Sequence, residues 1–237
     1  LLFLRQQADV RLLMVGDEVQ VRQALEAANA PMDRIQVVHA AQVVEMDEQP
    51  QSALKNKKDS SMRIAVNQVK EGLAQAAVSA GNTGALMATA RFVLKTIQGI
   101  ERPAIAKFIP SQNGHMTLVL DLGANVDCTP EQLVQFAFIG SELVHALYPN
   151  AGAPRVGLLN VGTEDIKGTD TVKQVFKLLS GSKLNFVGNV EGGSIFSGDV
   201  DVVVADGFVG NIVLKTIEGA VRFMGSAIKQ EFQTNLL

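Results

Sequence analysis

Short apolar runs alternate with amphipathic stretches along the chain. Val10 to Val15, Ile35 to His39, Ala76 to Ser79, Ile105 to Ile109, Thr117 to Asp121, Arg155 to Asn160, Asn185 to Val187 and Val200 to Ala205 are short, aliphatic and bounded by turn residues, which predicts strands. Several lack a polar face and read as buried on both sides. Strands alternating with helical segments predict an α/β fold, a mostly parallel sheet with helices on both faces, in one domain over residues 1–237.

Thr129-Pro130-Glu131-Gln132 is a capping box with proline at the first helical position, and it opens a helix to about Leu147. That helix is apolar on nearly every side and belongs in the core or at a dimer interface. A second long helix is predicted over 211–233, with Val213, Ile217, Val221, Met224 and Ile228 on one stripe and Lys215, Glu218, Arg222 and Lys229 opposite. The stripe is expected to pack on the sheet, with a partner or membrane as the alternative. Glu45 to Arg63 is polar, lacks strand periodicity and reads as an exposed excursion. Its Lys55, Lys57, Lys58 and Arg63 are a solvated face or a landing point for an acidic partner.

Composition narrows the functions this pattern can serve. With 237 residues, 47% of them hydrophobic, the chain can bury a large core. A formal net charge of -3 argues against nucleic acid, which calls for a concentrated basic face. The single cysteine, Cys128, excludes an internal disulfide, fits a reducing cytoplasm and reads as a small buried thiol. No apolar run approaches the roughly 20 residues that span a bilayer. Leu1 to Gln7 resembles the end of a helix more than the start of a domain, so the chain reads as incomplete.

Candidate chemistry lies where the glycines fall. Four predicted strands end directly in a glycine turn: Val78-Ser79-Ala80-Gly81, Leu120-Asp121-Leu122-Gly123, Leu159-Asn160-Val161-Gly162 and Val204-Ala205-Asp206-Gly207. In a parallel sheet these ends share one edge, where open α/β sheets bind ligands. Ser79-Ala80-Gly81-Asn82-Thr83-Gly84 and Asp206-Gly207-Phe208-Val209-Gly210-Asn211 both place two glycines three apart at a helix start, so free N–H groups can face a phosphate-like anion. The alternative for the first is ordinary capping by Asn82 or Thr83. Neither turn is a dinucleotide fingerprint or a Gly-Lys-Ser/Thr phosphate loop.

Side chains beside the turns complete the candidate set. Asn125 and Asp127 follow Gly123; Thr163, Glu164, Asp165 and Lys167 follow Gly162; Asp206 and Asn211 flank the second double-glycine turn. A lysine near an anion site suits a phosphate or an oxyanion. Asp127 and Asn211 can equally act as a turn starter and a helix cap. His39, His115 and His145 share no metal spacing, and there is no Gly-x-Ser-x-Gly elbow. No metal or cofactor is expected.

Five segments together resemble a known family. Val78 to Met87, Gly99-Ile100-Glu101-Arg102-Pro103-Ala104, Leu120 to Asp127, Leu158 to Glu164 and Asp206 to Asn211 resemble the phosphate acyltransferases of bacterial phospholipid synthesis, the PlsX family, in order along nearly the whole chain. The family's opening Asp-x-Met-Gly-Gly-Asp strand loop and its closing Asn-Gly-Ala and Lys-Ser-His-Gly segment are not among these residues. The resemblance implies a fold similar to isopropylmalate dehydrogenase and phosphotransacetylase. It also implies reversible acyl transfer from acyl carrier protein to inorganic phosphate, a homodimer, loose association with the membrane, and a downstream membrane acyltransferase that uses the product. Lys167 and Asn211 sit in its Gly-Thr-Glu-Asp-x-Lys-Gly and Asp-Gly-Phe-x-Gly-Asn motifs and are expected to be the catalytic pair. Phosphate is expected between the Gly81 and Gly207 turns. Alternatives are a coenzyme A-dependent phosphotransacetylase-type enzyme, a metal- and nicotinamide-dependent decarboxylating dehydrogenase built on Asp121, Asp127 and Asp206, and a non-catalytic membrane scaffold.

Overall fold

The computed structural model describes residues 2–234, which leaves Leu1 and residues 235–237 outside. Where the periodicity reads as a single domain, packing divides the chain into two compact units, Leu1–Gln98 and Gly99–Leu237. The first unit holds α1 Leu2–Gln6, β1 Leu12–Gly16, α2 Glu18–Ala27, β2 Ile35–His39, α3 Pro50–Asn56, α4 Ser61–Lys70 and α5 Thr83–Leu94. Strands β1 and β2 pair in parallel, Leu12 opposite Ile35, and the buried side chains of Leu4, Leu25 and Ile35 gather in a small core. A second core joins Val44, Ala53, Met62 and Ala85 under α3, α4 and α5.

Two expectations fail in this unit. The polar stretch Glu45 to Arg63 is no open excursion, because it folds into α3 and the start of α4. Pro50 opens α3 and the Ser60 hydroxyl accepts from the Arg63 N–H to cap α4. Over its seven residues α3 buries only Ala53, too few to print a helical period, and the period of α4, with Met62 and Val66 buried one turn apart, lies mostly beyond Arg63. Ala76 to Ser79 forms no strand, and Val78 stands 94% exposed. With alanine at 76, 77 and 80 there is little side chain to bury, and no strand among the described residues pairs with it to fix the backbone.

The second unit carries β3 Ala106–Pro110, β4 Met116–Leu120, α6 Pro130–Leu147, β5 Arg155–Leu159, α7 Asp170–Ser180, β6 Asn185–Val190, α8 Ser194–Ser197, β7 Val202–Val204 and α9 Gly207–Thr234. Its sheet runs β3-β4-β7-β5-β6, parallel throughout except for the antiparallel β3 at one edge. Leu118, Leu120, Val156, Leu158, Val202 and Val204 face α6 and α7, burying Phe136, Ala137, Val144, Val175 and Leu179 with them. Val119, Leu159 and Val203 point the other way, toward Ile195 of α8 and Val213 and Leu214 of α9. The period-2 alternation therefore feeds two cores from one sheet. The capping box at Thr129 forms as the sequence reads, with Thr129 and Gln132 exchanging side-chain bonds.

Helix α9 departs from expectation at both ends. It begins at Gly207 rather than Asn211, and its apolar stripe leaves the sheet after two turns. Val213 and Leu214 pack, but Val221, Met224 and Ile228 are all more than half exposed, as are Phe223 and Phe232. Among the described residues no helix is long and apolar enough to cross a membrane.

At the N-terminal edge of the sheet, Arg155 ties the start of β5 to the start of β7. Its Nε and Nη2 donate to the two oxygens of Asp201 at 3.0 and 2.9 Å, and its backbone N–H adds a bond of 2.7 Å. Burial works against the Asp201 charge, but the bonds from Arg155 outweigh it and hold the carboxyl below its ordinary range. A lowered carboxyl contributes stability that is present above its unfolded pKa of about 4 and is lost as pH falls through the folded value. Asp201→Asn should cost about 1–2 kcal/mol at pH 7, modest because the pair is partly exposed, and should flatten the acid limb of the stability curve. Urea melts at pH 7 and in acid check both; an unchanged acid limb refutes the assignment.

Candidate active site

Because β4, β7 and β5 are parallel neighbours, with Leu120 beside Val204 and Val204 beside Leu158, their C-terminal ends lie side by side. Three of the expected glycine turns thus leave one edge of one sheet: 121–127 after β4, 206–211 after β7 and 160–168 after β5. The Ser79 to Gly84 turn belongs to the first unit and follows coil rather than a strand.

The fully buried carboxylate of Asp121 organises the loop after β4. One oxygen accepts from the N–H groups of Ile105 and Ala124 at 2.9 and 3.0 Å; the other accepts from the N–H and the side-chain amide of Asn125 at 2.7 and 2.9 Å. Four donors replace the water a buried charge gives up. The Asn125 amide also donates to the Pro103 carbonyl at 2.9 Å, so both its hydrogens are taken by the protein. Asn125, expected to touch ligand, is buried and shapes the loop, whereas Asp127 is exposed. Asp121 itself went unread as an anchor; the Asp-x-Gly-x-Asn spacing was its only trace.

Helix α9 sits directly on this loop. A Cβ at Gly210 would lie 1.8 Å from the Asp121 carbonyl oxygen, and one at Gly207 would lie 2.5 Å from that of Asn125. Both glycines are contact points rather than flexible joints. The Gly207 N–H donates to the Asn125 carbonyl at 2.8 Å, Asp206 caps the helix by accepting from the Val209 N–H at 2.9 Å, and the Gly210 N–H reaches the Asp206 carbonyl at 2.8 Å. These three N–H groups are committed within the protein, which leaves that of Phe208 as the one in this turn without an acceptor among the described residues. The turn also presents side chains. Exposed Asn211 lies against Gly123, whose φ of +125° and lack of a side chain leave room for it.

The loop after β5 is braced by Asn160, which the sequence reading passed over. Its amide donates to the Lys167 carbonyl at 3.1 Å and its oxygen accepts from the Val161 N–H at 2.8 Å. Gly168, at φ +89°, leaves space for that side chain. Gly162 is buried, whereas Thr163, Glu164, Asp165 and Lys167 are exposed. The Lys167 ammonium is 3.8 Å from the Glu164 carboxylate, the outer limit of an ion pair, and so remains available to a ligand. Cys128 donates to the Asn125 carbonyl at 3.3 Å, and burial raises its pKa, which keeps the thiol neutral. Among the described residues no group of three His, Cys, Asp or Glu could hold a metal ion, and all four donors on Asp121 are protein N–H groups.

In the first unit, the Asn82 side chain holds the start of α5. Its oxygen accepts from the Ala85 N–H at 3.0 Å while its amide donates to the Glu48 and Met46 carbonyls at 2.8 and 3.1 Å. Ser79 accepts from the Gly81 N–H at 3.1 Å. The capping alternative is therefore real for Asn82. Yet the N–H groups of Thr83 and Gly84, in the first helical turn, have no acceptor among the described residues. A helix start with free donors attracts an anion. Two turns alike in sequence have come to differ in kind.

Comparison with known proteins fits this architecture. The family described as fatty acid synthesis protein matches residues 1–237. A phosphate acyltransferase of Neisseria meningitidis serogroup A is 76% identical over 234 residues, covering 99% of this chain and 67% of that protein. One from Chromobacterium violaceum is 59% identical, covering 97% of this chain and 66% of its own length. The chain thus spans about two thirds of these relatives. Phosphotransacetylases from Staphylococcus aureus and Streptococcus pyogenes share the fold, with TM-scores of 0.64 and 0.67 at 19% and 16% identity, covering 94% and 93% of this chain and 77% of each of theirs.

Gly210→Ala should cost more than about 3 kcal/mol or prevent folding, because backbone would have to move. Gly219→Ala, with nothing within 4 Å of the added methyl, should instead stabilise α9 by roughly 0.5–1 kcal/mol. Equal effects in thermal melts would show that the helix is not seated on Asp121. Asp121→Asn places an amide among four donors and should cost about 3 kcal/mol or more; a neutral result would remove the carboxylate from its central place.

Proposed function

The chain belongs to the fatty acid synthesis protein family, and on that premise we propose that the full-length protein moves an acyl group from the thioester of acyl carrier protein to inorganic phosphate. The observation that carries this reading is the gathering of three loops, with Lys167 and Asn211 exposed on two of them, at the C-terminal edge of one parallel sheet. The 76% identical phosphate acyltransferase supports the reaction class.

A phosphate oxygen attacks the thioester carbonyl carbon, charge collects on the carbonyl oxygen, and the carbon–sulfur bond breaks to give an acyl phosphate and a thiolate that solvent protonates. The demands on the protein are an oriented anion and donors for the oxyanion. Lys167 offsets phosphate charge, and the Asn211 amide donates to phosphate or to the tetrahedral oxyanion. Gly162 and Thr163 carry backbone and hydroxyl donors beside Lys167, and Asp127 borders the same edge. Asp206, Gly207 and Gly210 act by fixing where Asn211 stands. In the first unit Ser79, Gly81, Asn82, Thr83 and Gly84 form a second phosphate-binding element, supported by the open N–H groups of Thr83 and Gly84.

The same reading makes the protein a cytoplasmic homodimer that rests on a membrane surface and passes its product to a membrane acyltransferase. The exposed apolar residues Val221, Met224 and Ile228 support an apolar contact for α9.

Lys167→Ala and Asn211→Ala in the full-length protein should each lower acyl-phosphate formation about 100-fold or more, the scale of losing one positioned donor, with little change in melting temperature. A folded Lys167→Ala protein with full activity would refute the assignment. Competition between carrier-bound and coenzyme A-bound acyl donors in the presence of phosphate separates this enzyme from a phosphotransacetylase.

A further inference from the structure

Charge is divided unevenly along this acidic chain. Residues 50–98 hold seven Lys and Arg against two Asp and Glu, a formal +5 within a total of -3. That span is α3, α4 and α5, three helices packed on one another. The Lys55, Lys57 and Lys58 cluster loses one of its three charges. Lys57 is neutralised by Glu48 at 2.6 Å and bonded to the Val43 carbonyl.

Lys55, Lys58 and Lys70 are exposed cations without a ring beside them, whereas two others are set against an aromatic side chain. The Arg63 guanidinium, from α4, is 4.8 Å from the centre of the Phe92 ring, and the Lys95 ammonium, beyond the end of α5, is 4.9 Å from it. Phe92 is half exposed, and Arg91 precedes it on the solvent side. None of Arg63, Arg91 and Lys95 meets a carboxylate within ion-pair distance among the described residues. Lys95 adopts a φ of +68°, a conformation that costs a residue with a side chain and that glycine would take freely. A long cation is thus held over an exposed ring against backbone strain.

Two unpaired cations over one apolar ring, with exposed Arg91 one helical turn before Lys95, suit a folded partner that offers carboxylates around an apolar spot. Electrostatic complementarity of this kind speeds encounter and sets orientation. A nucleic acid is a poorer fit, since three cations neutralise few phosphates and the chain as a whole is acidic. We propose that the face formed by Arg63, Arg91, Phe92 and Lys95 receives an acidic helical carrier protein bearing the acyl thioester. This rests on the acyl-transfer reading above for the partner's identity, but its geometry belongs to the first unit alone.

The test uses the full-length protein with Arg91→Glu and Lys95→Glu together, and Arg91→Gln with Lys95→Gln as a milder pair. Binding of unacylated carrier is measured by fluorescence anisotropy at low and high salt. Turnover with phosphate is measured with the same acyl group on the carrier and on free pantetheine. The expected result is a rise of at least tenfold in the carrier's Kd and KM at low salt, a flatter salt dependence and an unchanged kcat, with the pantetheine donor unaffected. Unchanged carrier binding overturns the proposal, as does an equal loss with both donors or a loss of anionic-vesicle binding while carrier binding persists. If neither donor is consumed, the acyl-transfer reading fails, and carrier Kd alone still decides the surface.

Discussion

The second unit depends on a buried negative charge. Asp121 lies at the end of a central strand with no solvent, and its carboxylate is tolerable there only because four N–H groups converge on it. Those bonds fix the entry to β3 through Ile105, the turn at Ala124 and the orientation of Asn125. Asn125 in turn passes its carbonyl to Gly207, so the path of the chain after β7 follows from the path after β4. A buried charge that must be fully satisfied sets one geometry and makes neighbouring alternatives costly.

Helix α9 is the clearest consequence. Its first turn meets the Asp121 loop so closely that only glycine fits at 207 and 210, and this contact sets where Asn211 emerges beside Gly123. On the neighbouring strand, Asn160 and Gly168 brace the loop that carries Lys167. The two side chains proposed to handle phosphate and oxyanion therefore stand on rigid supports. Beyond its first two turns α9 leaves the sheet, and its apolar residues remain uncovered within the described chain.

Much of the architecture could be read from the residues. The strands of the second unit, the capping box at Thr129 and the parallel sheet follow from patterns that a few neighbours decide. Three of the four glycine turns do follow parallel strand ends on one edge of a sheet, and the long motifs carried the family. What failed was local. Ala76 to Ser79 resembles a strand but pairs with none among the described residues, and Glu45 to Arg63 holds a short helix with one buried residue and only the first turn of the next.

Sequence alone determined the α/β class and the glycine turns that leave one edge of the second unit's sheet, because side-chain alternation, caps and glycine positions act over a few residues. Tertiary structure decided which donors remain open. The Gly-x-x-Gly turns at 81 and 207 are the same short pattern, yet Thr83 and Gly84 keep free N–H groups while Gly207, Val209 and Gly210 give theirs to protein acceptors. It also decided that Asn125 is buried with both amide hydrogens bonded, that Lys57 is neutralised, and that Arg63 and Lys95 flank Phe92. The Gly207 bond to Asn125, the Asn125 bond to Pro103, the Lys57 pair with Glu48 and the Arg63 contact with Phe92 join groups 9 to 82 residues apart, and only folding brings such groups within reach.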